Sequence, residues 1–160
     1  MNKKVLSVLV DNKSGVLNRV AGLFSRRAYN IISLTVGETA DPKYSRMTIV
    51  VSGDDDILEQ IIKQISKLED VKDVEVLKSG ESVIRELILV KVKADQSQRQ
   101  QIVAMTDIFR ANIVDVAKDS LMIELTGNPS KLGAFIDLLD GFEIIQLVRT
   151  GITGLPRGEK

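Results

Sequence analysis

The residues with the most chemical potential lie in one short run, Asp11-Asn12-Lys13-Ser14-Gly15-Val16-Leu17. A β-type run, Val5 to Val10, leads into it, and helical spacing follows it. A chain that leaves a strand, turns on a glycine and starts a helix presents free N–H groups, and the helix dipole adds positive potential there. Such a place receives a small anion. Gly15 has no Cβ, so a ligand can come close to the backbone. A free amino acid has the matching chemistry: its carboxylate suits the N–H donors, and its ammonium suits the side-chain carbonyls of Asn12 and Asn30. The same residue types also make an ordinary strand-to-helix turn. On these residues alone, both readings stand.

Other groups carry less. Asp54-Asp55-Asp56 reads as an acidic helix start, because successive carboxylates on a helix point to different sides and do not share a metal. Arg26-Arg27 reads as a solvated helix end. Gly151 to Gly158 lacks the Gly-Lys-Ser/Thr end of a phosphate loop and no helix follows, so it reads as a mobile tail that orders on a partner. The chain contains no Cys, His or Trp. The usual zinc and transition-metal sites, thiol nucleophiles and Ser-His pairs are therefore excluded, which lowers the prospect of catalysis without abolishing it. No metal site and no cofactor site is read in this chain.

The elements that must position these residues follow from the apolar pattern. With 160 residues and 44% apolar side chains, the chain can form one ordinary domain or two small ones. Lys plus Arg and Asp plus Glu both number 22, so the basic excess expected of a nucleic-acid-binding protein is missing. No apolar run approaches the roughly 20 residues of a membrane span, and none resembles a signal peptide; a soluble, cytoplasmic protein is expected. Val16, Leu17, Val20, Leu23 and Phe24 fall at helical spacing, with Ser14 placed to cap that helix. Strands are predicted at 31–36, 46–51 and 71–77, with a helix opened by Gly53-Asp54-Asp55-Asp56 whose apolar stripe runs from Ile57 to Leu68. The order is β-α-β-β-α-β, the split pattern of ferredoxin-like folds. The run Lys78 to Ser82 reads as a linker, and the pattern then repeats: strand Ile84–Lys93, helix Gln98–Phe109, strands Ile113–Val116 and Leu121–Leu125, a helix from Asn128-Pro129-Ser130 to about Leu139, and strand Phe142–Val148. The expected class is α+β, two tandem ferredoxin-like βαββαβ domains over 1–78 and 84–160, joined by a linker at 79–83, with a tail after the last strand.

The opening Leu6 to Leu17 resembles that of ACT domains, and the rest is similar to the small subunits of acetolactate synthase (acetohydroxyacid synthase). The residues that carry the likeness include Gly22-Leu23-Phe24-Ser25-Arg26-Arg27, Tyr29-Asn30-Ile31, Ser33 to Gly37, Ser45 to Ile49, Arg85 to Val92, Ile108-Phe109-Arg110-Ala111, Ile113 to Val116, Gly127 to Leu132 and Val148 to Gly158. It spans nearly the whole chain and both halves. The resemblance implies an ACT first domain, a homodimer formed through the ACT domains, and a branched-chain amino acid, usually valine, bound between them. It also implies a large catalytic partner that carries thiamine diphosphate, Mg²⁺ and FAD, and that this chain activates and makes sensitive to feedback inhibition. That partner condenses pyruvate with pyruvate or 2-ketobutyrate on the way to valine, leucine and isoleucine. Asn12, Gly15, Val16, Leu17, Asn30 and Ile31 match the effector positions. The chain departs from the family at Ala28, where Gly is common, and at Ile32, where a polar residue is common. Ala in a left-handed position after a helix costs about 1 kcal/mol, so Asn30 is expected to take more of the bend. An enzyme on the same fold, of the acylphosphatase type, needs an Arg-lined loop after its first strand; Asp11 to Gly15 has none. An amino-acid-responsive transcription regulator needs a DNA-binding helix pair, for which no residues are left over.

Overall fold

The computed structural model describes residues 2–27 and 29–158; Ala28 and its bend lie outside the described residues. The element order is β1 (Asn2–Asp11), α1 (Val16–Ser25), β2 (Asn30–Glu38), β3 (Tyr44–Gly53), α2 (Asp55–Ser66) and β4 (Val71–Leu77), then β5 (Ser82–Lys93), α3 (Gln96–Ile108), β6 (Asn112–Val116), β7 (Ser120–Gly127), α4 (Pro129–Leu138), β8 (Ile144–Arg149) and a short β9 (Thr153–Pro156). The strand orders are β2-β3-β1-β4 and β6-β7-β5-β8. These are the same arrangement twice, so the two βαββαβ halves expected from the apolar pattern are present.

The first unit comprises residues 1–83 together with 152–160. Its core forms because strand period and helix period converge on one side of the sheet. Leu6, Val8 and Val10 of β1 alternate inward and meet Met47, Ile49 and Val51 of β3. Val16, Val20 and Phe24 of α1 recur every four residues and cover them; Leu58, Ile61 and Ile65 of α2, three and four residues apart, do the same. Each side chain is at most 2% exposed, and truncating one to Ala costs about 2–5 kcal/mol.

The second unit, residues 84–151, repeats the construction. Ile88, Val90 and Val92 of β5 face Leu121, Ile123 and Leu125 of β7, covered by Ile102 of α3 and by Leu132 and Phe135 of α4. The start of α3 is fixed by a reciprocal cap: the Asp95 carboxylate accepts from the Gln98 N–H at 2.9 Å, and Gln98 Oε1 accepts from the Asp95 N–H at 3.2 Å. The helix therefore begins at Gln96, two residues before the predicted Gln98. Pro129 occupies the first turn of α4, as predicted, and the Asn128 side chain caps it, accepting from the Lys131 N–H at 2.9 Å.

Two features differ from expectation. Ser14 does not cap α1; the N-cap is Gly15, with no side-chain hydrogen bond. The C-terminal stretch, expected to be a mobile tail of the second domain, clusters with the first unit. There the Arg157 N–H donates to the Glu81 carbonyl at 2.8 Å, and Thr35 Oγ1 of β2 donates to the Ile152 carbonyl at 3.3 Å. Thr35 lies on the sheet face opposite the helices, level with Thr48 of β3 and Ser7 of β1. That face carries hydroxyls, so a returning strand can hydrogen-bond to it where an apolar face would offer nothing. Among the described residues no helix is long and apolar enough to cross a membrane.

Candidate functional site

The loop after β1 is held from three directions. The Asp11 N–H donates to the Asp70 carbonyl and the Asn12 N–H to the Lys43 carbonyl, each at 2.8 Å. Asn12 Nδ2 donates to the Pro42 carbonyl at 2.9 Å and lies 3.4 Å from Glu38 Oε2. With its amide nitrogen committed to the β2–β3 hairpin, the Asn12 side chain keeps its carbonyl oxygen as an acceptor. Gly15 sits at φ +87°, in the left-handed region, and this is why the turn needs glycine. An intrahelical partner is missing for the first N–H groups of α1. No side chain caps them, so the backbone donors of Val16 and Leu17 remain for a ligand. The Val16 side chain is buried in the core, whereas that of Leu17 is 43% exposed. Val16 therefore offers only its backbone to a ligand, and Leu17 offers an apolar side chain as well.

The charges around this loop are organised. Arg19, one turn into α1, reaches Asp70 with Nε at 2.8 Å and Nη2 at 2.5 Å. Lys72 and Lys13 lie 3.6 and 3.9 Å from the Asp11 carboxylate. A Cβ added to Gly15 would stand 3.2 Å from Arg19 Nη1, so the guanidinium adjoins the helix start. Sequence reasoning missed Arg19 and Asp70, because their pairing joins α1 to the turn before β4.

Asn30 and Ile31 are elsewhere. Asn30 opens β2 opposite Ser52, and Ile31 lies opposite Val51 and packs on the first core. On β1, Ser52 is level with Lys3, while the Asn12 loop follows Asp11 at the other end. The two groups are thus separated by most of β1, which has ten residues; at 3.2–3.4 Å per residue that is about 30 Å. Within one chain the structure brings together Asn12, Gly15, Val16 and Leu17, and it places Asn30 and Ile31 apart from them. Ile32, the other departure from the family, falls in a bulge: the ladder passes from Ile31 opposite Val51 to Ser33 opposite Val50. Just before Asn30, the Tyr29 hydroxyl donates to the Asp54 carbonyl at 2.8 Å. Burial of the phenol, and then the Asp54 charge, hold its pKa above the usual value and keep it a donor.

Asp54 is the N-cap of α2 and Asp55 and Asp56 lie in its first turn, as read from the sequence. Arg26 caps the end of α1 and donates back to the Gly22 carbonyl at 3.2 Å. Among the described residues no group of three or more Asp and Glu is placed to hold a metal ion.

Comparison with known proteins assigns both halves. The family described as "AHAS small subunit-like ACT domain" matches residues 6–73, and that described as "Small subunit of acetolactate synthase" matches residues 85–158. A probable acetolactate synthase small subunit of Archaeoglobus fulgidus is 54% identical over 159 residues, covering 99% of both chains. The chain belongs to the acetolactate synthase small-subunit family. The isozyme 3 small subunit of Escherichia coli is 47% identical over 159 residues, 99% of this chain and 98% of that one. The crystal structure of the acetolactate synthase small subunit from Thermotoga maritima superposes with a TM-score of 0.90 at 42% identity, covering 100% of each chain. As a small subunit, this chain has a catalytic large subunit as its partner, and its first unit is the ACT domain expected from the opening residues.

Proposed function

We propose that this small subunit senses a branched-chain amino acid, valine foremost, and through it sets the activity of the large subunit in the cytoplasm. The reading includes activation of the large subunit in the absence of effector and feedback inhibition in its presence. The chain itself performs no chemistry. Thiamine diphosphate, Mg²⁺ and FAD belong to the large subunit, which makes acetolactate.

The observation that carries this reading is the separation of the two residue groups along one sheet. A site that needs both must be completed by a second copy. Strand β2 is an edge of the first sheet, and an edge is open to pairing. Antiparallel pairing of two β2 strands about a two-fold axis sets Asn30 of one copy opposite Glu38 of the other. Glu38 is the residue beside Asn12. The same pairing therefore delivers Asn30 and Ile31 of one copy to Asn12, Gly15, Val16 and Leu17 of the other, twice per dimer. The Val16 and Leu17 N–H groups then take the effector carboxylate. The carbonyl oxygens of Asn12 and of the partner copy's Asn30 take its ammonium. Leu17 and the partner copy's Ile31 meet its side chain. Valine and leucine differ by one methylene, worth about 1 kcal/mol in an apolar pocket, so selectivity among branched-chain amino acids is modest.

Calorimetric titration of the full chain with valine, leucine and isoleucine tests the reading. Saturable binding of valine with one site per chain is expected. Absence of binding at millimolar valine, in a protein that still activates its large subunit, would remove the sensing role.

A further inference from the structure

Asn30 and Ile31 are poorly anchored by the sheet alone. The bulge at Ile32 interrupts the β2–β3 ladder directly after them, so the two residues form a short end held by one stretch of pairing, to Ser52 and Val51. The other support comes from the residue before them. Tyr29 closes α1, its N–H donating to the Phe24 carbonyl at 3.0 Å, and its hydroxyl donates to the Asp54 carbonyl at 2.8 Å. That carbonyl also accepts the Leu58 N–H at 3.0 Å in the first turn of α2. Between these two bonds the ring lies close against the Gly53 backbone. A Cβ at Gly53 would stand 1.9 Å from Cε1, 2.5 Å from Cζ and 2.8 Å from Cδ1 of Tyr29. No side chain fits there unless the ring leaves. Gly53 adjoins Ser52, the ladder partner of Asn30, so ring and ladder fix the same end of the strand from two sides.

We propose that Tyr29 seated on Gly53 is a positioning device for the effector site: it sets where the Asn30 side chain meets the bound amino acid. The inference rests on the reading above that Asn30 touches the effector. Neither Tyr29 nor Gly53 need touch the ligand.

The test measures valine affinity calorimetrically on the full chain, and valine inhibition of the holoenzyme rebuilt with its large subunit. Gly53→Ala expels the ring and is expected to weaken valine about tenfold. Tyr29→Phe keeps the ring and loses only the bond to Asp54; about threefold is expected. The two sites must be coupled: in a Tyr29→Ala background no ring is left to expel and only the strain of a side chain at φ +159° remains, so Gly53→Ala should weaken valine less than it does in the wild-type chain. Ile65→Ala separates positioning from mere destabilisation. It removes a buried side chain from the far end of α2 and should lower Tm while leaving valine affinity as it was. Asn30→Ala separates the inference from the reading beneath it. If Asn30→Ala leaves valine affinity unchanged, the assignment of Asn30 to the site fails and the inference with it. If Asn30→Ala weakens valine but Gly53→Ala and Tyr29→Phe do not, the positioning role alone is wrong. Should Gly53→Ala not fold, Tyr29→Phe decides, and affinity equal to wild type overturns the proposal.

Discussion

At the scale of residues, Gly15 has two duties that a single substitution cannot separate. Its φ of +87° makes any side chain costly, and its place at the helix start makes any negative charge unwelcome to a carboxylate ligand. Two like charges about 4 Å apart repel by roughly 4 kcal/mol at an effective dielectric near 20. Arg19 tempers this, because a carboxylate introduced at position 15 would lie against its guanidinium. Comparing Gly15→Asp with Gly15→Asn isolates the charge, since Asn tolerates the left-handed region best of the polar residues. Gly15→Asp is expected to weaken valine at least tenfold more than Gly15→Asn, as read by the inhibition midpoint of the holoenzyme. Equal midpoints would place the effector carboxylate elsewhere. Asn12→Ala should weaken valine less than Gly15→Asp does, because it removes one acceptor. Lys13→Ala should change the midpoint hardly at all, because the Lys13 amine lies 3.9 Å from Asp11 at an exposed position.

Elements are decided by their ends. α3 has the most complete cap of the described helices, with Asp95 bonded to Ser97 and Gln98. The Ser97 hydroxyl, then the Gln98 N–H, hold the Asp95 carboxyl below its ordinary value of 3.8. A lowered folded value means that the stabilisation from the charged cap is complete above the unfolded value and is lost as pH falls through the folded one. Asp95→Asn keeps a neutral cap. It should melt below wild type at pH 7, and the gap should close as the pH drops below 3.8. A gap that stays constant with pH would show that the charge adds nothing. Strand β2 makes the opposite case, since its bulge leaves Asn30 and Ile31 dependent on the loop before them.

For the whole molecule, the effector site proposed above requires a second copy of the chain. Sedimentation at micromolar concentration should give at least a dimer, and a monomer with and without valine would exclude the composite site. Purified chain supplied with pyruvate, thiamine diphosphate, Mg²⁺ and FAD should form no acetolactate. Turnover that survives removal of contaminating large subunit would overturn the non-catalytic reading.

The local sequence determined the elements. Alternation at Leu6, Val8 and Val10 and four-residue spacing at Val16, Val20 and Phe24 are periods that chain geometry imposes on any buried strand or helix, so they could be read directly. The duplicated pattern and the Asn12–Leu17 helix start were legible for the same reason. What only tertiary structure decided are meetings between segments far apart in the chain. Arg19 pairs with Asp70, the Tyr29 ring lies on Gly53, and Thr35 meets Ile152. Short runs such as Thr153–Pro156 are too brief to show a period, and their strand character comes from the strand they pair with. The separation of Asn30 from Asn12 is of this kind. Eighteen positions of sequence say nothing of distance, and the β1–β3–β2 register converts them into the length of a sheet.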